Sequence, residues 1–338
     1  MLVEQLTKTM AIMTLRKKAL PVLRTAFAFA LAMTAGQPQM AVPLSVLLGS
    51  AAQAQDSGWQ QEITSWRAQH AVELQKPDGW LALAGLEWLE PGDNPFGSAK
   101  DNKIHLPSSA PAHLGVLRLD GGNITLNSPG EGFPAGFLID GKAVQARTLH
   151  TDPDHDKNNP RLTIGTLNMY VIHRGERFAL RIKDAKSAAL TGFHGLQWYG
   201  PNQAYRVVAH WIPYTPRKTF TIVTLIGTSY PAQVPGSAEF TLKGKTYRLD
   251  PILEDPAVTK LFFVLRDTTS TSTTYGACRF LYTGFPDHGL DKPGELVLDF
   301  NRLENPPCAY TPYATCPLPP RQNRLPVPLP VGEKRYHE

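Results

Sequence analysis

Residues 168–183 read NMYVIHRGERFALRIK, and this stretch decides the class of the fold. Aromatic, β-branched and aliphatic residues fill both arms, and Arg174-Gly175-Glu176 sits between them. Two such runs joined by a short Gly-containing turn read as a β-hairpin. The same grammar recurs in both directions. Runs 114–119 and 123–127 flank Gly121-Gly122, and runs 238–242 and 246–249 flank Gly244. Residues 205–211, 220–226, 261–265, 274–282 and 295–300 have strand composition as well. Thirty Pro and 27 Gly in 338 residues leave little room for long helices. Strand follows strand without an intervening helix, so the expected class is all-β and mainly antiparallel. One helix stands apart at 57–75. Trp59, Ile63, Trp66, His70 and Leu74 recur at three- and four-residue steps, Ser57 and Gln60 form a capping box, and Pro77-Asp78-Gly79 stops it.

Charge and the N-terminus bound the location. The formal charge is +5, but residues 1–54 supply +4 of it, which leaves a body of +1. A nearly neutral body without a basic cluster is not built for nucleic acid. Arg16, Lys17, Lys18 and Arg24 precede apolar runs at 25–35 and 41–48, and Ala52-Gln53-Ala54 closes the segment as a small-residue cleavage motif. These are the parts of a secretory signal over 1–54. Pro38 and Pro43 interrupt a run too short to span a bilayer. The expectation is therefore an exported protein, periplasmic or secreted, with no stable membrane span after cleavage. Export makes pairing of cysteines chemically available. Cys308 and Cys316 flank a short loop, CAYTPYATC, which a disulfide could close; two buried free thiols are the alternative. Strand alternation places Cys278 with Phe280 and Tyr282, as a packing residue.

The polar stretch 150–160, HTDPDHDKNNP, separates two groups of strands. Its Asp152, Asp154 and Asp156 open like a calcium loop, but Lys157 and Thr163 stand where such a loop needs Gly and Glu. A solvated linker is the reading, with no metal and no cofactor expected. The organisation is then a helix plus small β-sandwich over 55–150, and a larger β-barrel or sandwich over 151–338. The proline-dense segment 305–330 straps the larger domain.

Several local motifs of the C-terminal half form an ordered series. They include Phe193-His194-Gly195-Leu196, Trp198-Tyr199, Tyr205-Arg206-Val207, Thr274-Tyr275-Gly276, Leu298-Asp299-Phe300-Asn301, Asn305-Pro306-Pro307-Cys308, Gln322-Asn323-Arg324-Leu325 and Gly332-Glu333-Lys334. With residues 79–89, GWLALAGLEWL, the series resembles the bacterial domain-of-unknown-function family 1684, over about residues 59–336. That resemblance implies no activity. Cys278 departs from its pattern, which has Gly there. Over 80–150, Pro91-Gly92-Asp93-Asn94-Pro95-Phe96-Gly97, Asn102, His113 and Ile139-Asp140-Gly141-Lys142 are similar to a forkhead-associated β-sandwich. The phosphate-binding Arg of that family is Ser98 here, and its Ser-Arg pair ahead of His113 is absent. The resemblance implies the sandwich and not phosphothreonine binding.

No nucleophile elbow, phosphate loop or dinucleotide fingerprint is present. The candidate residues are therefore polar groups on strands and turns. His194, close to Trp198, Tyr199 and Tyr205, reads either as a general base or as a buried hydrogen-bonded histidine. Tyr275 and Arg279 share one strand face, and Asp299 and Asn301 share another. If those strands pair, Arg279 and Asp299 meet as a buried ion pair or as the grip on a polar ligand. Asn305, Gln322 and Asn323 add amides beside aromatic residues, and Glu333 completes the set. Amides with aromatic faces suit a small polar molecule or glycan bound in the C-terminal β-domain. Two other readings follow from the same residues. One is a periplasmic hydrolase using His194 or Asp299 with Glu333, and the other is a protein-interaction scaffold on the sandwich.

Overall fold

In a computed structural model, residues 44–151, 156–254 and 259–336 are described, with side chains from Ser57 onward except that of Lys157. The chain divides into two units, Met1–Ala51 and Ala52–Glu338. Of the first, residues 44–51 are described and are helical; the charged and apolar runs of the expected leader up to residue 43 lie outside the described residues. The helix extends over Leu44–Leu74, not 57–75. Residues 51–56 (AAQAQD) contain no Gly or Pro to stop it, so Ser57 lies inside the helix in this chain rather than capping it.

The second unit is built of sheets. One has six strands, in the order Leu83–Trp88, Arg177–Asp184, Leu167–Arg174, Leu162–Ile164, Leu138–Ile139 and Lys142–Ala143. The expected hairpin forms, with Leu167 opposite Asp184 and Arg174 opposite Arg177. A five-stranded sheet, ordered Ile104–His105, Gly92–Gly97, Gly115–Asp120, Asn123–Asn127 and Arg147–Leu149, shares a core with it. Phe96, Leu117, Ile124 and Leu126 from one sheet meet Leu162, Met169, Leu180 and Ile182 from the other.

This sandwich corrects the expected boundary. Leu138–Ile139 pairs with Leu162–Ile164 across the 150–160 stretch, and Leu149 and Leu162 enter one core. The strands on either side of the polar stretch thus belong to one sandwich, so it does not separate two domains. Asp156 ties it down by accepting from Arg174 Nη1 at 3.0 Å and Arg181 Nη1 at 3.2 Å. Asp152 and Asp154 lie outside the described residues.

The remaining strands form a four-stranded antiparallel sheet, ordered Lys245–Leu249, Ser229–Leu242, Arg206–Val223 and Gly294–Asp299, and a two-stranded pair, Lys260–Leu265 with Arg279–Gly284. Among the described residues no sheet closes into a barrel. Alternation along 260–265 explains why two cores exist here. Leu261, Phe263 and Leu265 face Trp211, Phe240 and Leu298. Phe262 and Val264 face Phe280, Cys278, Ile222 and Val234. The long hairpin serves both cores because its register shifts between Pro213 and Lys218, and a bulge bends a strand. Trp211 anchors the bend: it is fully buried and its Nε1 donates to Leu290 O at 2.9 Å. Its ring leaves room only for glycine at 236, where a Cβ would lie 2.5 Å from the indole and 2.6 Å from Ile212 O.

The proline-dense segment packs through Tyr310, Ala314, Cys316, Leu325, Val327 and Leu329, all buried. Residues 57–74 of the helix lie on these C-terminal layers rather than with the sandwich. Trp59 Nε1 donates to Asp299 Oδ2 at 2.9 Å, and Glu62 pairs with Arg302. No described helix is long and apolar enough to cross a membrane.

Candidate functional site

The helix face read from its periodicity carries a polar centre within its apolar stripe. Trp59, Ile63 and Leu74 are buried. Trp66 and His70, one helical turn apart, stack with ring centroids 5.7 Å apart, and Trp198 meets Trp66 edge-on at 5.5 Å. His70 lies between two carboxylates. Its Nδ1 is 3.4 Å from Glu304 Oε2 and its Nε2 is 3.6 Å from Glu333 Oε2.

Backbone pairing fixes both acids. Glu304 and Phe280 exchange N–H···O bonds of 3.0 Å, which sets Glu304 beside the two-stranded pair. Glu333 N–H donates to Leu303 O at 2.8 Å. The Glu333 carboxylate is 1% exposed and accepts from Asn305 N–H and Nδ2 at 2.8 Å and from Tyr310 Oη at 2.6 Å. Three donors thus satisfy this buried carboxyl group.

Glu304 is different, because it borders a cavity of about 560 Å³. That is within the span of small-molecule pockets, about 300–1,000 Å³. Trp66 and Arg302 line it beside Glu304, with Lys260 and Tyr282 from the two-stranded pair and Glu254 from the approach to it. Burial, opposed by the His70 and Lys260 charges, pushes the Glu304 carboxyl up to about 7. Burial also raises Glu254. For His70, burial pulls the pKa down, but the two neighbouring carboxylates outweigh it and hold the imidazole above its ordinary value. The Tyr282 hydroxyl is pushed up by burial and by the Glu254 and Glu304 charges. Near neutral pH Glu304 can therefore both donate and accept a proton, with His70 behind it.

The residues expected from the sequence divide among several places. Asn305 and Glu333 belong to this centre. Arg279 and Asp299 do not meet, because the Arg279 strand pairs with Lys260–Leu265 and the Asp299 strand pairs with Arg206–Val223. Arg279 is fully buried and pairs with Asp267 at 3.1 Å. Asp299 caps the turn after it, accepting from Asn301 N–H and Nδ2. Asn301 is fully buried and also grips Asn202, donating to its carbonyl and accepting from its N–H. Tyr275 precedes its strand, which begins at Arg279, and donates to Cys308 O at 3.0 Å. His194 is exposed; its Nδ1 lies 3.2 Å from Gly192 O and its ring stacks on Tyr336. Tyr199 lines a separate notch of about 170 Å³ with Lys334 and Arg335. Asn323 is buried, bonding Asp250 and Val264, and Gln322 reaches Asp250 from the surface.

The expected disulfide is not formed, and all three cysteines are free. Cys308 N–H donates to Cys316 Sγ at 3.2 Å, and Cys278 packs in the same core as Phe280. Hydrogen bonds from Cys278 and Cys316 draw the Cys308 thiol well down.

The sequence reading missed Trp66, His70, Glu304, Glu254, Lys260, Tyr282 and Arg302 as site residues. The signal for two of them was present. An indole and an imidazole on one otherwise apolar helix stripe need partners once that stripe is buried. Glu304 stands beside Asn305, one of the candidate amides. The rest come together only through pairing of distant strands. Among the described residues, no group of three or more His, Cys, Asp or Glu side chains is arranged to hold a metal ion.

Residues 191–334 match the model of a family described as protein of unknown function, DUF1684, the family that the C-terminal motifs resemble. No curated protein matches the chain. Among solved structures, an uncharacterised protein from Haloarcula marismortui is similar at 27% identity and a TM-score of 0.37, covering 43% of this chain and 78% of that one. Two forkhead-associated domains each cover 29% of this chain at 17% identity and a TM-score of 0.20. One, from FhaA in complex with the intracellular domain of Rv3910, is covered over 97% of its length. The other, from a study of phosphothreonine-dependent interactions, is covered over 92%.

Proposed function

We propose that the protein is exported and binds a small polar ligand, a saccharide by the chemistry of the site, in the cavity bordered by Trp66, Glu304 and Glu254. One observation carries the reading: a cavity of about 560 Å³ combines aromatic surface with carboxyl and cationic groups. A sugar ring offers apolar C–H faces and a rim of hydroxyls. Trp66 and Tyr282 suit the faces. Glu254 and Glu304 accept from hydroxyls, and Lys260 and Arg302 donate to them. Burial makes such polar contacts stronger than in water. Isothermal titration of the full chain against a panel of neutral and acidic mono- and disaccharides tests this. At least one is expected to bind, and Trp66→Ala is expected to weaken it tenfold or more. Binding unaffected by Trp66→Ala would place the ligand elsewhere, and no binding across the panel would remove the saccharide reading.

Export rests on the basic, apolar and A-x-A order of residues 16–54. The exported protein is expected to begin at Gln55, read by N-terminal sequencing. Cleavage there frees Ser57 to act as the helix cap that its spacing from Gln60 prepares. A periplasmic or secreted form that retains Met1 would count against it.

A further inference from the structure

We propose that the cavity is catalytic and hydrolyses a glycosidic bond, with Glu304 as the acid that protonates the leaving oxygen and Glu254 as the base that activates water. The inference rests on the saccharide reading of the same cavity and adds chemistry to it.

A shared cavity and unequal exposure assign the two roles. The two carboxyl groups border one cavity but come from different segments, one after Leu303 and one after Leu253. Cleaving an acetal expels a strongly basic alkoxide unless a proton arrives as the C–O bond breaks. Two carboxyls on one ligand space, one acting as acid and one as base, meet that need. Glu304 is the one built to carry the proton. Its side chain is 18% exposed and its other neighbour is the His70 ring at 3.4 Å. Burial keeps a proton on it close to neutral pH. Glu254 borders the same cavity from a more exposed position, where a water from solvent can reach it. Lys260 and Arg302 line the same cavity as donors to sugar hydroxyls.

The step balances as R–O–R′ + H₂O → R–OH + HO–R′. The Glu304 proton passes to the glycosidic oxygen, and the bond from that oxygen to the anomeric carbon breaks. Glu254 takes one proton from a water whose oxygen forms the new bond to that carbon. Glu304 is left as carboxylate and Glu254 as acid, and solvent exchange returns both to their starting states. His70 is a positioning residue. Held on its far side by Glu333, it steadies the Glu304 carboxylate at the moment that group has given up its proton.

The test uses the full chain with 2,4-dinitrophenyl glycosides, whose leaving group needs no proton, and with the matching unactivated disaccharides. Wild type is expected to hydrolyse at least one pair. Glu304→Gln is expected to lose about 10²–10⁴-fold in turnover of the disaccharide and far less on the dinitrophenyl glycoside, with disaccharide binding weakened much less than turnover. Glu254→Gln, at a more open position, is expected to lose activity on both alike. Equal loss on both substrates in Glu304→Gln, or full activity in Glu254→Gln, would overturn the assignment. A saccharide that binds in a Trp66-dependent manner without turnover by wild type overturns the catalytic inference and leaves the binding reading standing. Failure of every saccharide to bind overturns both.

Discussion

Arg279→Met is expected to lower the free energy of unfolding by about 3–5 kcal/mol, the usual cost of removing one partner from a buried ion pair. The guanidinium and Asp267 are both fully buried, 3.1 Å apart. Arg279 also donates to the carbonyls of Leu329 at 3.0 Å, of Val331, and of Glu333 at 3.4 Å. It thus fastens the C-terminal segment that presents Glu333 to His70. The nest is fitted closely: at Gly332, whose φ is +77°, a Cβ would lie 2.7 Å from Arg279 Nη2. Methionine fills much of the volume but leaves Asp267 Oδ2 and three carbonyls without their donor. Lysine keeps the charge but not the fork, so Arg279→Lys should recover only part of the loss. Asp267 retains bonds from Thr269 and from Leu329 N–H through its other oxygen. Losses at the two positions should therefore not add, and the double variant Arg279→Met, Asp267→Leu should cost less than the sum of the singles. Guanidinium chloride titration at constant m-value measures this. A loss below about 1 kcal/mol for Arg279→Met would show that the pair is dispensable.

The hairpins were legible because their information is local. Gly175 and Gly122 both adopt positive φ, at +62° and +88°, and the strands on either side pair as the turn dictates. The identity of the partner of Arg279 was not legible. Its burial follows from its strand, but whether that strand lies beside residues 260–265 or beside residues 294–299 depends on long-range pairing. Either strand could supply a carboxylate, through the turn after 265 or at 299 itself. The sandwich boundary failed for a related reason. Prolines and aspartates at 150–160 report a solvated loop, and composition alone does not tell a loop within a core from a linker between cores. The helix face shows the opposite balance. Its spacing places Trp66 and His70 on the buried side, but helical periodicity does not say which distant carboxyl groups meet them.

Stability is expected to fall by about 3 kcal/mol as pH rises from about 5 to 8, and Glu304→Gln is expected to flatten that profile. In the unfolded chain Glu304 releases its proton near 4.5, and in the folded protein at about 7. Between those values the folded state binds more protons than the unfolded state, so stability declines with rising pH. A gap of that size is worth about 3 kcal/mol at 1.36 kcal/mol per unit. His70 acts in the same direction. Its folded pKa lies above 6.5, so its contribution is complete below the unfolded value and is lost as pH rises through the folded one. Glu304 faces His70 from the helix, Glu333 from the C-terminal segment, Lys260 from the neighbouring strand and Glu254 across the cavity. Glu304 and His70 therefore lose their protons as a coupled pair, and the measured midpoints belong to the pair. Glutamine at 304 removes the ionisation that burial opposes, so the variant should be more stable than wild type at pH 8 and close to it at pH 5. Urea titrations across that range decide it. A flat wild-type profile, or an unchanged slope in Glu304→Gln, would mean that Glu304 is ionised throughout and holds no proton to give at neutral pH.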